Sequence, residues 1–329
     1  MESKLVIITG AAGFLGSHLA EHYLGSGYRV IGIDNFATGS KANVSHLQNL
    51  ASSENFHFVE ADVCEASSGW VKDPLWRAQL KDLKYILHFA SPASPPLYQK
   101  LALETMWVNS LALRHAIELA DQHGSRVVFA STSEIYGDPE VAPQPESYWG
   151  NVNTVGVRSC YDEAKRFGES LIHTSNLVRG TKHGLVRIFN TYGPRMNIND
   201  GRVIINFLVQ ALKGEPLTVF GTGQQTRSFC YVEDLVAAIS TYTDRELTRP
   251  VNIGNDREFT ILEAAQAVQK LFPEKNLVIE HRELPSDDPK RRRPDLTLAK
   301  DVLSPWTPKV QFEEGLRYML NWVRQESLT

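Results

Sequence analysis

An apolar, β-branched run, Leu5-Val-Ile-Ile-Thr9, opens directly into Gly10-Ala-Ala-Gly13-Phe14-Leu15-Gly16. Continuous apolar runs of this length suit strands buried on both faces, the pattern of a parallel sheet covered by helices. The glycines let a backbone approach closely, and the helix expected over Ser17 to Leu24 would offer its amides to a phosphate. A second run, Arg29-Val-Ile-Gly-Ile33, ends in Asp34, roughly 20 residues on from the glycines, where an acid accepts hydrogen bonds from ribose hydroxyls. The same acid repels a 2′-phosphate, so the expected cofactor is NAD rather than NADP. The spacing, Gly-x-x-Gly-x-x-Gly, departs from the usual Gly-x-Gly-x-x-Gly; the strand, turn, helix, strand and acid around it carry the reading.

Further strand-like runs alternate with helix-like stretches: Phe56–Glu60, Tyr85–Phe89, Arg126–Ala130 and Leu185–Phe189. This predicts a doubly wound α/β fold of Rossmann type. Ligands of such sheets bind beyond the carboxyl ends of the strands. Candidate cofactor contacts are therefore Gly10, Gly13, Phe14, Leu15, Gly16, Asp34 and Asn35, then Asp62, Val63, Phe89, Ala90, Ser91 and Thr191 in later loops. Beyond Asn190 the alternation weakens, as in a smaller α/β substrate-binding domain, while Val251-Asn-Ile-Gly254 reads as a strand returning to the sheet. The expected division is 1–190 with about 229–256 for the cofactor, and 191–228 with 257–329 for the substrate.

Tyr161 and Lys165 stand four apart, so on a helix they share a face and the ammonium can favour a phenolate. A free phenol titrates near pH 10, so a tyrosine base at neutral pH also needs a positively charged cofactor. A helix over Trp107–Ala120 places Leu111, Ala112, Ala116 and Ile117 at core-like spacing. This helix and the one carrying Tyr161 could form a dimer interface or an ordinary core.

Composition excludes several classes. Net charge is −4, which gives no electrostatic footprint for nucleic acid. No leader or 18-residue apolar span is evident, and three cysteines without metal spacing suit a reducing compartment. A cytoplasmic protein without a membrane span is expected. Cys160 reads as a small apolar residue rather than a redox group. The histidines include no ligand pattern, so no metal is expected.

Gly-x-x-Gly-x-x-Gly with Tyr-x-x-x-Lys resembles the extended short-chain dehydrogenase/reductase family of nucleotide-sugar enzymes. Ser91-Pro-Ala-Ser-Pro-Pro96, Ser131-Thr-Ser-Glu-Ile-Tyr-Gly-Asp-Pro139, Ser147-Tyr-Trp-Gly-Asn-Val-Asn153, Val157-Arg-Ser-Cys-Tyr-Asp-Glu-Ala-Lys165 and Asp287-Asp-Pro-Lys-Arg-Arg-Arg-Pro-Asp295 are similar to its UDP-glucuronate decarboxylases. The resemblance implies oxidation of the sugar at C4 by NAD, loss of carbon dioxide, protonation at C5 and return of the hydride, giving UDP-xylose. It implies Tyr161 as base, Lys165 as its tuner, Thr132 at O4 and Glu134 as acid/base near C5. The implied substrate contacts are Pro92, Ser133, Glu134, Asn190, Arg202, Val203, Arg227 and Arg292, in a homodimer joined by a helix bundle.

Ser133 separates this reading from 4,6-dehydratases, which carry aspartate there, because a hydroxyl is too weak an acid to expel water. Glu134 argues against a simple 4-epimerase. Epimerase or dehydratase chemistry on the same scaffold is the alternative, and a non-catalytic NAD-binding regulator a more distant one. Three departures bear on the sugar. Trp107 and Val108 replace a Lys-Thr pair whose lysine reaches the substrate, His115 and Glu118 replace small or amide residues, and Glu65–Asp82 is longer than a segment that usually covers the sugar.

Overall fold

The computed structural model describes residues 4–283 and 291–326. Asp287 to Lys290 of the quoted basic string lie outside them.

Seven parallel strands form the central sheet in the order β11-β6-β5-β4-β1-β2-β3. These are β1 (Leu5–Thr9), β2 (Arg29–Asp34), β3 (Phe56–Glu60), β4 (Leu83–His88), β5 (Arg126–Thr132), β6 (Gly184–Ile188) and β11 (Val251–Ile253). Period-two alternation explains why β1 had to be apolar throughout. Val6 and Ile8 enter one core with Leu19, Val30 and Tyr85, while Leu5 and Ile7 enter the other with Ile31, Ile86 and Phe129. Burying each such side chain contributes roughly 1.5–3 kcal/mol.

Helices α1 (Phe14–Gly25), α2 (Lys41–Leu50), α3 (Pro74–Ala78), α4 (Pro95–Lys100), α5 (Ala102–Gln122) and α6 (Ser159–Arg179) precede β6. The remainder of the chain contributes α7 (Val203–Lys213), α8 (Val232–Asp244), α9 (Ile261–Gln269), α10 (Thr297–Val302) and α11 (Phe312–Glu326). Short strands join them: β7 (Thr191–Tyr192) with β10 (Cys230–Tyr231), β8 (Leu217–Phe220) with β13 (Ile279–Arg282), and β9 (Thr226–Ser228) between β12 (Glu258–Thr260) and β14 (Arg291–Arg292). None of the described helices is long and apolar enough to cross a membrane.

Two expectations about packing need correction. Leu111 is not in the core: on α5 the buried stripe runs through Thr105, Val108, Asn109, Ala112 and Ala116, which turns Leu111 outward with Leu103, Met106 and Trp107. The 65–82 segment contributes no described residue to the cleft at the carboxyl ends of the strands. Its Trp70 and Trp76 are buried in the core that contains Ile31 and Ile33, Trp76 stacks on His57 with ring centroids 5.1 Å apart, and Asp82 pairs with Arg29 at 2.8 Å. The two buried indoles anchor the segment to the sheet.

Candidate functional site

At the carboxyl ends of the strands two features meet, a glycine cradle and a deep cleft. The cradle begins where Gly10 leaves β1 with φ +76°, and a Cβ there would stand 2.8 Å from the backbone of Ala90. A Cβ on Gly16 would fall 2.0 Å from the Gly10 carbonyl oxygen, so only glycine lets α1 pack so close. Gly13 precedes α1 with no side-chain cap, and no acid occupies the first turn. That leaves the positive end of the helix open to an anion. Asp34, at the end of β2, accepts from the Ala12 N–H at 3.1 Å and the Phe36 N–H at 2.7 Å. Burial pushes its carboxyl up, while those N–H groups favour the ionised form. Asn35 is exposed beside it. Asp62 accepts from Cys64 N–H at 2.8 Å after β3, Val63 is buried, and the Phe89 and Ala90 amides both reach the Thr9 hydroxyl at 3.2 Å. These groups fit a dinucleotide: a side-chain-free cradle for the diphosphate and an acid one strand away for a ribose.

The cleft has a volume of about 600 Å³. Leu15, Phe89, Ser91 and Thr191 connect it to the cradle, and Thr132, Ser133, Glu134, Tyr161, Lys165, Asn190, Arg202, Val203, Arg227 and Arg292 line it. Gly10, Gly13, Phe14, Gly16, Asp34, Asn35, Asp62, Val63 and Ala90 lie outside its walls, and so does Pro92, though its neighbours Ser91 and Ala93 line it. Trp107, His115 and Glu118 do not border it either. Trp107 is 54% exposed on the outer face of α5, so the replacement of lysine by tryptophan does not alter the cleft wall.

Lys165 and Tyr161 share one face of α6, with the ammonium 5.6 Å from the phenol ring centre. Lys165 nevertheless donates to the Ala130 carbonyl at 2.7 Å, and burial lowers its pKa to about 7. Tyr161 stacks on Tyr98 with centroids 4.8 Å apart. Burial pushes the phenol well above 10 and the Glu134 carboxylate adds to this, while Thr132 and Arg202 pull it back. The expected phenolate therefore does not follow from the Tyr-Lys pair alone: burial outweighs the lysine, and more positive charge must approach the ring.

Thr132 ends β5, and its hydroxyl accepts from the Glu134 N–H at 3.2 Å, turning the chain so that Glu134 enters the cleft. There its carboxylate lies between Arg158 and Arg292. Burial alone would raise its pKa, but the two guanidinium groups hold it at about 2. Arg202 is engaged by Asp200, with Nη2 to Oδ2 at 2.9 Å, and Arg227 Nη1 donates to the Thr226 carbonyl at 2.8 Å.

Sequence reasoning missed three members of this cluster. Arg158 and Asp162 bracket Tyr161 on α6, and their i, i+4 spacing was a usable signal; Arg158 Nε lies 4.0 Å from Asp162. Burial and Glu134 raise the Asp162 carboxyl to about 7. Tyr98 arrives from α4, and no local pattern announces its stacking. Among the described residues, no group of three or more His, Cys, Asp or Glu is placed to hold a metal.

Residues 6–254 match the family model "NAD dependent epimerase/dehydratase family". UDP-glucuronic acid decarboxylase 1 of Danio rerio is 44% identical over 99% of the chain and 74% of its own length. UDP-glucuronic acid decarboxylase 5 of Arabidopsis thaliana is 45% identical over 95% of the chain and 87% of its own. Among solved structures, the UDP-glucuronic acid 4-epimerase of Bacillus cereus, in complex with UDP-glucuronic acid and NAD, superposes with a TM-score of 0.84 at 25% identity, covering 98% of this chain and 99% of that one. Nearly full-length relatedness and a matching cradle make this chain a member of the NAD dependent epimerase/dehydratase family.

Proposed function

We propose that the chain converts UDP-glucuronate to UDP-xylose by NAD-dependent decarboxylation through a 4-keto sugar. The observation that carries this is the set Thr132, Ser133, Glu134 and Tyr161 on one wall of the cleft, supported by relatives named as decarboxylases. Gly10, Gly13, Gly16 and Asp34 would hold NAD, which would supply reversible hydride acceptance at C4 and the positive charge that Tyr161 needs. Tyr161 removes the proton of the 4-hydroxyl, with the Thr132 hydroxyl holding O4 and Lys165 anchoring a ribose. The resulting ketone stands β to the carboxylate, so carbon dioxide leaves and its bonding electrons pass into an enolate. Because Arg158 and Arg292 keep Glu134 ionised, it orients a donor water at C5 rather than carrying the proton itself. Ser133, buried and uncharged, has no means of expelling a C6 hydroxyl. Asn190, Arg202 and Arg227 grip the diphosphate, as planar guanidinium forks suit phosphate oxygens, while Val203 and Pro92 shape the sugar end. Arg292, which the resemblance groups with the diphosphate arginines, is instead paired with Glu134, so in this reading it faces the sugar's carboxylate end.

The same reading divides the chain into a cofactor part, 1–190 with 229–256, and a substrate part, 191–228 with 257–329. It also makes the protein a homodimer, because Leu103, Met106, Trp107 and Leu111 of α5 and Phe167 of α6 form an exposed apolar face that a second copy can cover. Its free thiols suit the cytoplasm. Purified protein given UDP-glucuronate is expected to release carbon dioxide and form a UDP-pentose by mass spectrometry, with no net consumption of NAD. Loss of water would make it a dehydratase, an isobaric product an epimerase, and no turnover a binding protein.

A further inference from the structure

Arg292 reaches Glu134 from a strand of two residues, and something must hold so short a strand in register. On one side β14 pairs with β9, Arg291 opposite Thr226 and Arg292 opposite Arg227. On the other side the holding group is a single fully buried residue, Gln144. Its N–H donates to the Arg293 carbonyl at 2.9 Å and its carbonyl accepts from the Asp295 N–H at 3.0 Å. The side chain completes the clasp: Oε1 accepts from the Arg293 N–H at 2.8 Å, and Nε2 donates to the Val141 carbonyl at 2.6 Å.

The clasp also reaches the other half of the ion pair. Asn252 of β11 donates from Nδ2 to the Gln144 carbonyl at 2.9 Å and accepts at Oδ1 from the Tyr136 hydroxyl at 2.8 Å. Tyr136 ends the same turn that begins with Ser133 and carries Glu134. Gln144 itself does not line the cleft. Its geometry therefore bears on chemistry only through Arg292 and Glu134.

We infer that Gln144 is a positioning residue that sets the placement of the Arg292 guanidinium on Glu134. The inference rests on the role proposed above for that pair. Misplacing a charged group by about an ångström can cost up to about a hundredfold in rate, whereas a residue that only cements a loop lowers stability and leaves kcat alone.

The test is a double-mutant cycle on the full chain, reading carbon dioxide release from UDP-glucuronate together with NAD affinity. Gln144→Leu is expected to lower kcat about tenfold or more, leave NAD affinity within about twofold, and cost almost nothing further in an Arg292→Ala background. Gln144→Glu, whose buried carboxyl is expected to stay protonated so that one oxygen accepts from the Arg293 N–H and the O–H donates to the Val141 carbonyl, is expected to recover most of the loss; it also serves should the leucine variant fail to fold. An unchanged kcat in Gln144→Leu, a loss that persists in full in the Arg292→Ala background, or equal losses in the Leu and Glu variants would overturn the inference. Full activity of Arg292→Ala alone would instead remove the functional reading of the ion pair beneath it.

Discussion

The cradle and the cleft are built by opposite means. Around Gly10, Gly13 and Gly16 the recognising groups are backbone amides, the essential feature is a missing Cβ, and all of it lies within one strand, one turn and one helix. In the cleft the recognising groups are charged side chains: Glu134 from the end of β5, Arg158 from the start of α6, Arg292 from β14 and Arg202 from the start of α7. A cradle can fail only by crowding. A cleft of buried charges can fail whenever one partner is removed, since the remaining charge stays desolvated.

The sharpest test removes one atom from the cleft. Tyr161→Phe is expected to lower turnover by about 10²–10⁴-fold while NAD still binds; comparable turnover in a carbon dioxide assay would take Tyr161 out of the mechanism. For the cradle, Gly16→Ala forces a methyl group to within 2.0 Å of the Gly10 oxygen, at a cost of about 1–3 kcal/mol. This is expected as weaker NAD binding and a lower Tm together, and NAD titration with unchanged affinity would break the steric account. Glu134→Gln probes the ion pairs by pH. The Glu134 carboxyl drops from 4.5 to about 2 on folding, so its stabilising contribution is complete above the unfolded value and is lost as pH falls from 4.5 toward 2. Acid unfolding of the Gln variant, followed by circular dichroism, is expected to show a shallower dependence in that window, and a curve parallel to the parent's would contradict the pairing. Smallest of all is the predicted effect of Trp107→Lys on catalysis, within about twofold in KM, because the side chain faces away from the cleft. A large KM change would restore Trp107 to the substrate site, and dissociation in a sizing experiment with unchanged KM would place it in the dimer face.

How legible each region was follows from the same contrast. β1 and the run ending in Asp34 were readable because a strand buried on both faces must be apolar throughout, and a tight strand-to-helix turn must be glycine. Tyr161 and Lys165 were readable through helical spacing. Leu111 was misjudged because the outward face of α5 is itself apolar, so hydrophobicity did not separate the core side from the surface. The burial of Trp70 and Trp76 was not readable, because two tryptophans in a loop-like stretch carry no sign of which surface they will cover.

The amino-acid order by itself determined the buried apolar strands, the glycine cradle, the acid at the end of β2 and the Tyr-Lys pair, because each is a local pattern set by neighbours within a turn or two. Only the tertiary structure decided that Glu134 would be held ionised by Arg158 and Arg292, that Lys165 would bond Ala130, and that Gln144 would clasp the arginine strand. Those outcomes rest on burial and on charges brought together from distant segments, and electrostatic energy depends on separation in space and on the surrounding medium.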